Sequence, residues 1–173
     1  TYTHGAYQTF EIHDSKRRRI DKASVRDRIV HEFLFRVLET VYEPIFISDS
    51  YSSRKGKGTL RALARAETFL LPWRNNSYGW YAVVADVRSF FASVSHRILL
   101  LNIARRVKDL RILHICKLVI ESFSTEGRPG YGIPLGNVTS QIFANIILHE
   151  MDRKIKHTLH KARYILHSLG NNQ

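Results

Sequence analysis

The sequence predicts an α+β protein in which a small sheet is covered by helices. Alternating apolar and polar residues near the N-terminus are typical of strands, whereas several later segments repeat apolar residues at helical spacing. Between two of these helical segments lies a short run rich in aromatic and β-branched residues, which predicts a buried strand. With 173 residues, 44% of them apolar, the chain is long enough to bury a real core.

The N-terminal part predicts an extended region followed by a long helix. Residues 7–20 alternate around Phe10 and Ile12, which favours a strand pair or an extended arm. Ser24 fits a helix N-cap, with Asp27 as its capping-box partner, and Pro44 ends the helical pattern. The apolar positions of this helix are Ile29, Val30, Phe33, Leu34, Val37, Leu38 and Val41.

The middle of the chain predicts a loop, a helix and a strand. Residues 48–58 are polar, basic and rich in glycine, which is typical of a loop. A helix is expected from Thr59, and a break follows at 72–79. One face of that helix carries Leu60, Leu63, Ala64 and Leu71. The aromatic and β-branched run at 80–85 is the predicted buried strand, and it delivers Asp86.

The second half predicts mainly helices. Two are expected at about 95–107 and 109–123, each with a capping residue, followed by a glycine-rich turn at 127–132. A last long helix is predicted over 138–159 and a short strand over 163–166. The apolar stripe of the long helix comprises Ile142, Phe143, Ile146, Ile147, Met151 and Ile155.

The composition favours a polyanionic partner. Lys and Arg number 27 against 15 Asp and Glu, and the resulting charge of +12 is spread over both halves of the chain. A basic but inert surface is the alternative. The single cysteine, Cys116, excludes an intrachain disulfide and lies in an apolar run where a small buried side chain is expected. No stretch is apolar enough for a membrane span, so a reducing, cytoplasmic setting is the default expectation.

Asp86 is the sharpest candidate for chemistry. A carboxylate at the exit of a hydrophobic strand is held rigidly, as a two-metal polymerase requires for its cations. The alternative is a strand-end Asp that caps a turn. The second candidate is the segment 132–145, where two glycines and a proline lead into a helix and would let a base pair approach the backbone. An ordinary turn is the alternative there.

Several basic residues are candidates for binding phosphates. They comprise Lys16, Arg17, Arg18 and Arg19, then Arg26 and Arg28, then Arg54, Lys55 and Lys57. Guanidinium groups suit a triphosphate or a nucleic-acid backbone. Any one of these runs alone is more often just a solvated face. The histidines, including His157 and His160, suggest no metal site, and exposed helix positions explain them.

The order of these features resembles that of bacterial reverse transcriptases, which are RNA-directed DNA polymerases. The resemblance runs from about His4 to Tyr164 and is carried by four segments: 20–31, 49–59, 86–96 and 132–145. The pairs Leu135-Gly136 and Ser140-Gln141 stand where most group II intron-like and retron enzymes have Gln-Gly and Ser-Pro. That variant is similar to the enzymes of diversity-generating retroelements.

The resemblance implies a role for each matching residue. Asp86 and the Val87 carbonyl would hold Mg²⁺ or Mn²⁺ in the complete enzyme, and Phe91 would exclude a ribose 2′-hydroxyl, although core packing also explains Phe91. The residues implied to contact the incoming nucleotide are Arg18, Arg26, Arg28, Phe91, Leu135 and Gly136. Those implied to contact nucleic acid are Lys16, Arg54, Lys55, Lys57, Asn137 and Gln141.

The resemblance also implies an architecture and partners. Residues 1–79 would form fingers and 80–165 a partial palm with inserted helices, while 166–173 diverge and a thumb is absent. The implied partners are a template RNA, a DNA primer, deoxynucleoside triphosphates and, as a further candidate, a retroelement accessory protein. After Ile165 the family's aromatic-x-Asp-Asp turn does not follow, so we expect this chain to be inactive alone. The alternative function is a non-catalytic RNA-binding module or one half of a split polymerase.

Overall fold

In a computed structural model, residues 2–13, 17–71 and 84–170 are described, and their side chains are described up to residue 158. These ranges contain two strands, β1 (Gln8–His13) and β2 (Arg17–Lys22), and six helices. The helices are α1 (Val25–Tyr42), α2 (Thr59–Leu70), α3 (Phe90–Ser93), α4 (His96–Arg106), α5 (Leu110–Glu121) and α6 (Val138–Gly170). The mixed class with a small sheet is therefore confirmed.

The two strands form an antiparallel hairpin, which confirms the predicted strand pair. Arg18 lies opposite Ile12, and Ile20 lies opposite Phe10. Successive side chains of a strand point to opposite faces, so Arg18 and Ile20 share one face of β2. On the other face, Arg17 donates two hydrogen bonds of 2.8 Å to the Glu11 carboxylate.

Helix α1 begins and ends where the sequence predicts. Ser24 caps it by accepting from the Asp27 N–H at 3.2 Å, and the helix ends just before Pro44. The predicted apolar stripe is wrong at Ile29 and Phe33, which are 68% and 49% exposed. Leu34 and Leu38 are buried as predicted, and the buried face of α1 continues through three polar or aromatic positions that the stripe did not include: Asp27, His31 and Tyr42.

The core lies where α1, α4, α5 and α6 meet. Leu34, Leu99 and Phe143 are at most 1% exposed and come from three different helices. Cys116 is fully buried on α5, as predicted, and burial raises the pKa of its thiol to about 12. The two predicted helices in this layer are confirmed, and Asp109 caps α5 by accepting from the Arg111 N–H at 2.8 Å.

Helix α6 is longer than the sequence predicts. It continues to Gly170, so the predicted strand at 163–166 is wrong. A strand needs a neighbouring strand for its hydrogen bonds, and the only sheet in the described ranges is the β1–β2 hairpin. A helix satisfies its own backbone, and Lys161, Ala162 and Leu166 are strong helix formers. Of the predicted stripe, Met151 and Ile155 are 44% and 49% exposed.

Two predictions in the middle of the chain are met only in part. Residues 80–85 were predicted to form a buried strand. The last two, Val84 and Ala85, have irregular backbone, and Val84 is 93% exposed. Residues 80–83 lie outside the described ranges. Helix α2 forms at the predicted place, but it buries no side chain, and Leu60 is 83% exposed. No helix in the described part of the chain combines the length and apolar character that a bilayer crossing requires.

Candidate nucleotide and nucleic-acid site

The end of β2 is joined to the glycine-rich loop that precedes α6. The Asp21 N–H donates to the Leu135 carbonyl at 2.9 Å. The Asn137 side chain adds two bonds, donating from Nδ2 to the Asp21 carbonyl at 2.7 Å and accepting from the Ala23 N–H at 3.1 Å. Asn137 is 4% exposed, so its amide holds the loop against β2 rather than facing a nucleic acid as predicted; Gln141 is exposed.

Gly136 has no room for a side chain. Its φ of +107° is a conformation that L-residues rarely adopt, and an added Cβ would lie 2.6 Å from Cγ2 of Ile20. The loop backbone therefore packs directly on the face of β2 that carries Ile20. Arg18 shares that face, so its guanidinium lies on the same side of the hairpin as the loop.

The same loop also contacts the segment that follows Asp86. The Ile133 N–H donates to the Phe91 carbonyl at 2.9 Å, and the Gly132 N–H donates to the Val94 carbonyl at 2.8 Å. Phe91 is half-buried, and its ring meets that of Phe90 edge to face at 5.8 Å. Both rings pack on the core, so burial does not show which of the two would exclude a ribose 2′-hydroxyl. Asp86 is exposed in irregular backbone before this contact.

The arginines predicted to bind the triphosphate differ in whether their side chains already have partners within the protein. Arg18 and Arg28 are exposed, and no described carboxylate pairs with either of them. Arg26 is already engaged, because it donates to the Thr3 carbonyl at 2.8 Å. Lys16 lies outside the described residues. Arg18 and Arg28 are therefore the arginines of this group that the geometry leaves available for an anion.

Within the loop at 48–58, Arg54 is turned inward. Its side chain is 6% exposed, its Nη2 lies 2.7 Å from the Glu43 carboxylate, and its Nη1 donates to the Ile47 and Ser50 carbonyls. These contacts occupy the N–H groups that a phosphate would need, so the geometry favours a structural role over nucleic-acid binding. Lys55 is exposed, and Lys57 donates to the Ser48 carbonyl at 2.7 Å.

A buried polar chain that the sequence analysis missed ties the N-terminus to α6. His31 Nδ1 lies 2.7 Å from Thr139 Oγ1, and His31 Nε2 lies 2.9 Å from His4 Nε2. His4 Nδ1 donates to the Gly5 carbonyl at 2.6 Å, so in the neutral ring its Nε2 accepts. His31 then donates from Nε2, and Thr139 donates to His31 Nδ1. The available signal was the four-residue spacing of Asp27 and His31, which puts both on one face of α1.

Burial and hydrogen bonding shift the pKa values of this cluster. Burial, and then the nearby His4, lower the pKa of His31 to about 4, while Asp27 opposes them. Burial raises the pKa of the Asp27 carboxyl, but hydrogen bonds from Ser24, Tyr2 and Gly5 outweigh it and bring that pKa to about 2. At neutral pH the cluster therefore contains a neutral imidazole and an ionised carboxylate.

The side chains described here do not form a complete metal site. No group of three His, Cys, Asp or Glu side chains able to hold a metal occurs in the part of the chain that the structure describes. Two divalent cations need several hard oxygen ligands. Asp86 supplies one carboxylate at a surface position, which does not fit a two-metal centre by itself.

Comparisons with known proteins show the family to which the sequence is similar. Residues 12–166 match the family model described as reverse transcriptase (RNA-dependent DNA polymerase). The chain is 32% identical to the uncharacterized 91 kDa protein in the cob intron of Schizosaccharomyces pombe, over 86% of this chain and 20% of that protein. It is 27% identical to Protein YkfC of Escherichia coli, over 81% of this chain and 38% of that protein. It is 25% identical to the group II intron-encoded protein LtrA of Lactococcus lactis subsp. cremoris, over 73% of this chain and 21% of that protein.

The chain therefore belongs to the reverse transcriptase (RNA-dependent DNA polymerase) family. Its relatives place it in the group II intron-like lineage, which confirms the resemblance found in the sequence. The finer similarity to diversity-generating retroelements stays a prediction. The chain spans about a fifth to two fifths of the length of these relatives.

Proposed function

We propose that this chain carries the nucleotide- and template-positioning part of an RNA-directed DNA polymerase. Residues 1–79 act as fingers and 80–165 as part of the palm, with a divergent end at 166–173. The observation that carries the proposal is the junction of Asp21 with Leu135, because it brings the basic hairpin to the glycine-rich loop. The partners are a template RNA, a DNA primer and deoxynucleoside triphosphates, with a retroelement accessory protein as a further candidate.

In this proposal each candidate residue has a task in positioning. Arg18 and Arg28 offer fork-shaped donors that match phosphate oxygens. Gly136 presents bare backbone to a nascent base pair, and Leu135 borders that pair with an apolar side chain. Phe91 serves as the gate against a ribose 2′-hydroxyl. Lys55 and Gln141, both exposed, contact the nucleic-acid strand.

Asp86, with the Val87 carbonyl, is the chain's contribution to metal binding in this proposal. Bound Mg²⁺ or Mn²⁺ would neutralise charge on the reacting phosphates in the complete enzyme. Because Asp86 does not fit a two-metal centre alone, the positioning role of this chain is separable from the chemical step.

Photo-crosslinking with an azido-deoxynucleoside triphosphate tests the proposal. The chain is first bound to an RNA template annealed to a DNA primer, and crosslinked peptides are identified by mass spectrometry. We expect crosslinks in β2 and in residues 132–137, reduced several-fold by R18Q/R28Q. The matched control, R36Q/R111Q, removes two exposed arginines elsewhere and should leave the crosslinks unchanged. Crosslinks confined to other segments would contradict the proposal.

A second candidate is a non-catalytic RNA-binding module, or one half of a split polymerase. The exposed position of Asp86 in irregular backbone favours it, because one carboxylate cannot hold two divalent cations. Adding the missing carboxylates in trans, on a separate polypeptide from a related enzyme, separates the possibilities. Restored primer extension indicates a split polymerase, whereas RNA binding without extension indicates a binding module.

A further inference from the structure

A small cleft opens between the C-terminal half of α1 and the helices α4 and α6. Its volume is about 140 Å³. The polar groups around it are Asn102, Arg105, Arg106, His149 and Glu150. At 1.5 Å per residue, His149 lies about 16 Å along α6 from Val138, so the cleft is separate from the loop at 132–137.

The polar groups of this cleft do not satisfy one another. Among the described residues, none of these five side chains forms a hydrogen bond or an ion pair. His149 is 5% exposed and its Nδ1 has no hydrogen-bond partner, although buried polar atoms normally have one. Arg105 and Arg106 suit the negative end of the α4 dipole. That effect explains neither the unpartnered imidazole nor the convergence of charged groups on one opening.

The size and chemistry of the cleft limit the ligand. Pockets that enclose a whole small molecule usually measure about 300 Å³ or more, so this cleft suits one group of a larger ligand. Two neighbouring guanidinium groups favour a phosphate. Burial, despite the nearby Glu150, lowers the pKa of His149, so the neutral ring offers one donor and one acceptor. Glu150 repels bare anions but accepts hydrogen bonds from hydroxyl or amino groups, which a nucleotide also carries.

We propose that this cleft is a second RNA-contact site, which takes one nucleotide of a single-stranded RNA. The phosphate lies on Arg105 and Arg106, and the ribose 2′-hydroxyl or the base edge hydrogen-bonds to Glu150 and to the side of the His149 ring that lines the cleft. The site goes beyond the positioning of template and incoming nucleotide, because it lies elsewhere on the molecule and does not depend on polymerase activity.

Fluorescence anisotropy with a labelled single-stranded RNA tests the site in the 173-residue chain. R105Q/R106Q should weaken RNA binding about tenfold and flatten its salt dependence, whereas the charge-matched control R36Q/R111Q should change it less than about twofold. H149F keeps an aromatic ring against Phe46 but cannot hydrogen-bond. Because it removes an unpartnered buried nitrogen, it should leave the melting temperature equal or higher while RNA affinity falls several-fold.

An unchanged or higher melting temperature together with a lower RNA affinity indicates a binding role for His149. If His149 were purely structural, its replacement would lower both. Equal RNA affinity for R105Q/R106Q and its control would overturn the proposal even if the rest of the chain binds RNA. A second arm adds inorganic phosphate alone. If millimolar phosphate raises the melting temperature only when Arg105 and Arg106 are present, and RNA affinity is unchanged by their loss, the site binds free phosphate and the RNA assignment is wrong.

Discussion

The Asp21 N–H and the Leu135 carbonyl, 2.9 Å apart, join two segments that are distant in the sequence. This bond and the two bonds of the Asn137 amide fix the glycine-rich loop against the end of β2. Movement of the hairpin relative to the loop would break these buried hydrogen bonds. Because β2 also carries Arg18, the bonds hold Arg18 in place relative to the loop. The junction therefore preorganises the surface to which we assign nucleotide positioning.

Substitution of Gly136 tests how tightly the loop packs on the hairpin. Gly136→Ala should lower the free energy of unfolding by about 2–4 kcal/mol, because the positive φ and the contact with Ile20 both become strained. Urea denaturation measures this change. Adding Ile20→Ala removes the contacting Cγ2 and should recover about 1 kcal/mol of coupling energy in a double-mutant cycle.

Gly127 provides the matched control for this prediction. Its φ is also positive, at +70°, but an added Cβ would meet no atom within 4 Å. Gly127→Ala should therefore show only the backbone cost, about 1–2 kcal/mol. Equal effects at both glycines, with no coupling to Ile20, would mean that the loop does not pack on β2 as described.

Stability should fall in acid because of His31. Its pKa is lowered to about 4, whereas in the unfolded chain it has the ordinary value near 6.5. Between these values the unfolded state binds the additional proton, so the stabilisation is complete above pH 6.5 and is lost as the pH falls to 4. The expected loss is about 3 kcal/mol, measured by urea denaturation at pH 7, 5 and 4. Asp27, with a pKa of about 2, adds a second loss in the same direction between about pH 4 and 2.

His31→Gln should reduce the first part of this pH dependence and leave the second; the remainder of the first part comes from His149, whose pKa burial also lowers. His114→Gln, at an exposed position of α5, is the control and should preserve both parts. If the wild-type protein has the same stability at pH 7 and pH 4, the buried neutral imidazole is not present in solution.

Substitution of Arg54 should mainly change stability, whereas substitution of Lys55 should mainly change RNA binding. Arg54→Gln should lower the free energy of unfolding by about 2–3 kcal/mol, because Glu43 and two carbonyls lose their partners in a nearly buried site. Lys55→Gln should change stability by less than about 0.5 kcal/mol but weaken RNA binding and reduce its salt dependence. Denaturation and anisotropy on the same samples test both. A stable Arg54→Gln protein that has lost RNA binding would restore the sequence-based assignment.

The sequence predicted best those elements that local interactions decide. The cap at Ser24, the cap at Asp109 and the stop before Pro44 each depend on residues within one helical turn. The β1–β2 hairpin likewise follows from short-range alternation. These features were correct because few distant contacts can override them.

The errors arose where tertiary context decides. The strand expected at 163–166 became helix because β-branched and aromatic content predicts a strand only if a neighbouring strand is available. The resemblance assigned Arg54 and Asn137 to nucleic acid, which stays a prediction, but a sequence motif does not show that both side chains are buried against the protein. The cluster of His4, His31 and Thr139 joins distant segments, so spacing indicates only that Asp27 and His31 share one face of α1, and not which residues they meet.

The last prediction concerns synthesis itself. The 173-residue chain should extend no primer with either Mg²⁺ or Mn²⁺, because no two acidic residues are adjacent in the sequence and no group of three metal-binding side chains occurs in the described ranges. A chimera should be active if it joins residues 1–165 to the remainder of a family enzyme that carries an aromatic-x-Asp-Asp turn. Asp86→Asn in that chimera should abolish extension, because a neutral amide loses the charge that holds the cations.

The same chimera distinguishes the two adjacent phenylalanines. Phe91→Ala should retain extension with deoxynucleotides and admit ribonucleotides, because it removes the ring proposed to exclude the 2′-hydroxyl. Phe90→Ala is the matched control: both rings pack on the core, so both variants should lower thermal stability, but Phe90→Ala should not admit ribonucleotides. Primer extension is scored separately for the two nucleotide types. If only Phe90→Ala admitted ribonucleotides, the roles of the two rings would be exchanged. Robust extension by the 173-residue chain would contradict the expected inactivity and point to further catalytic carboxylates.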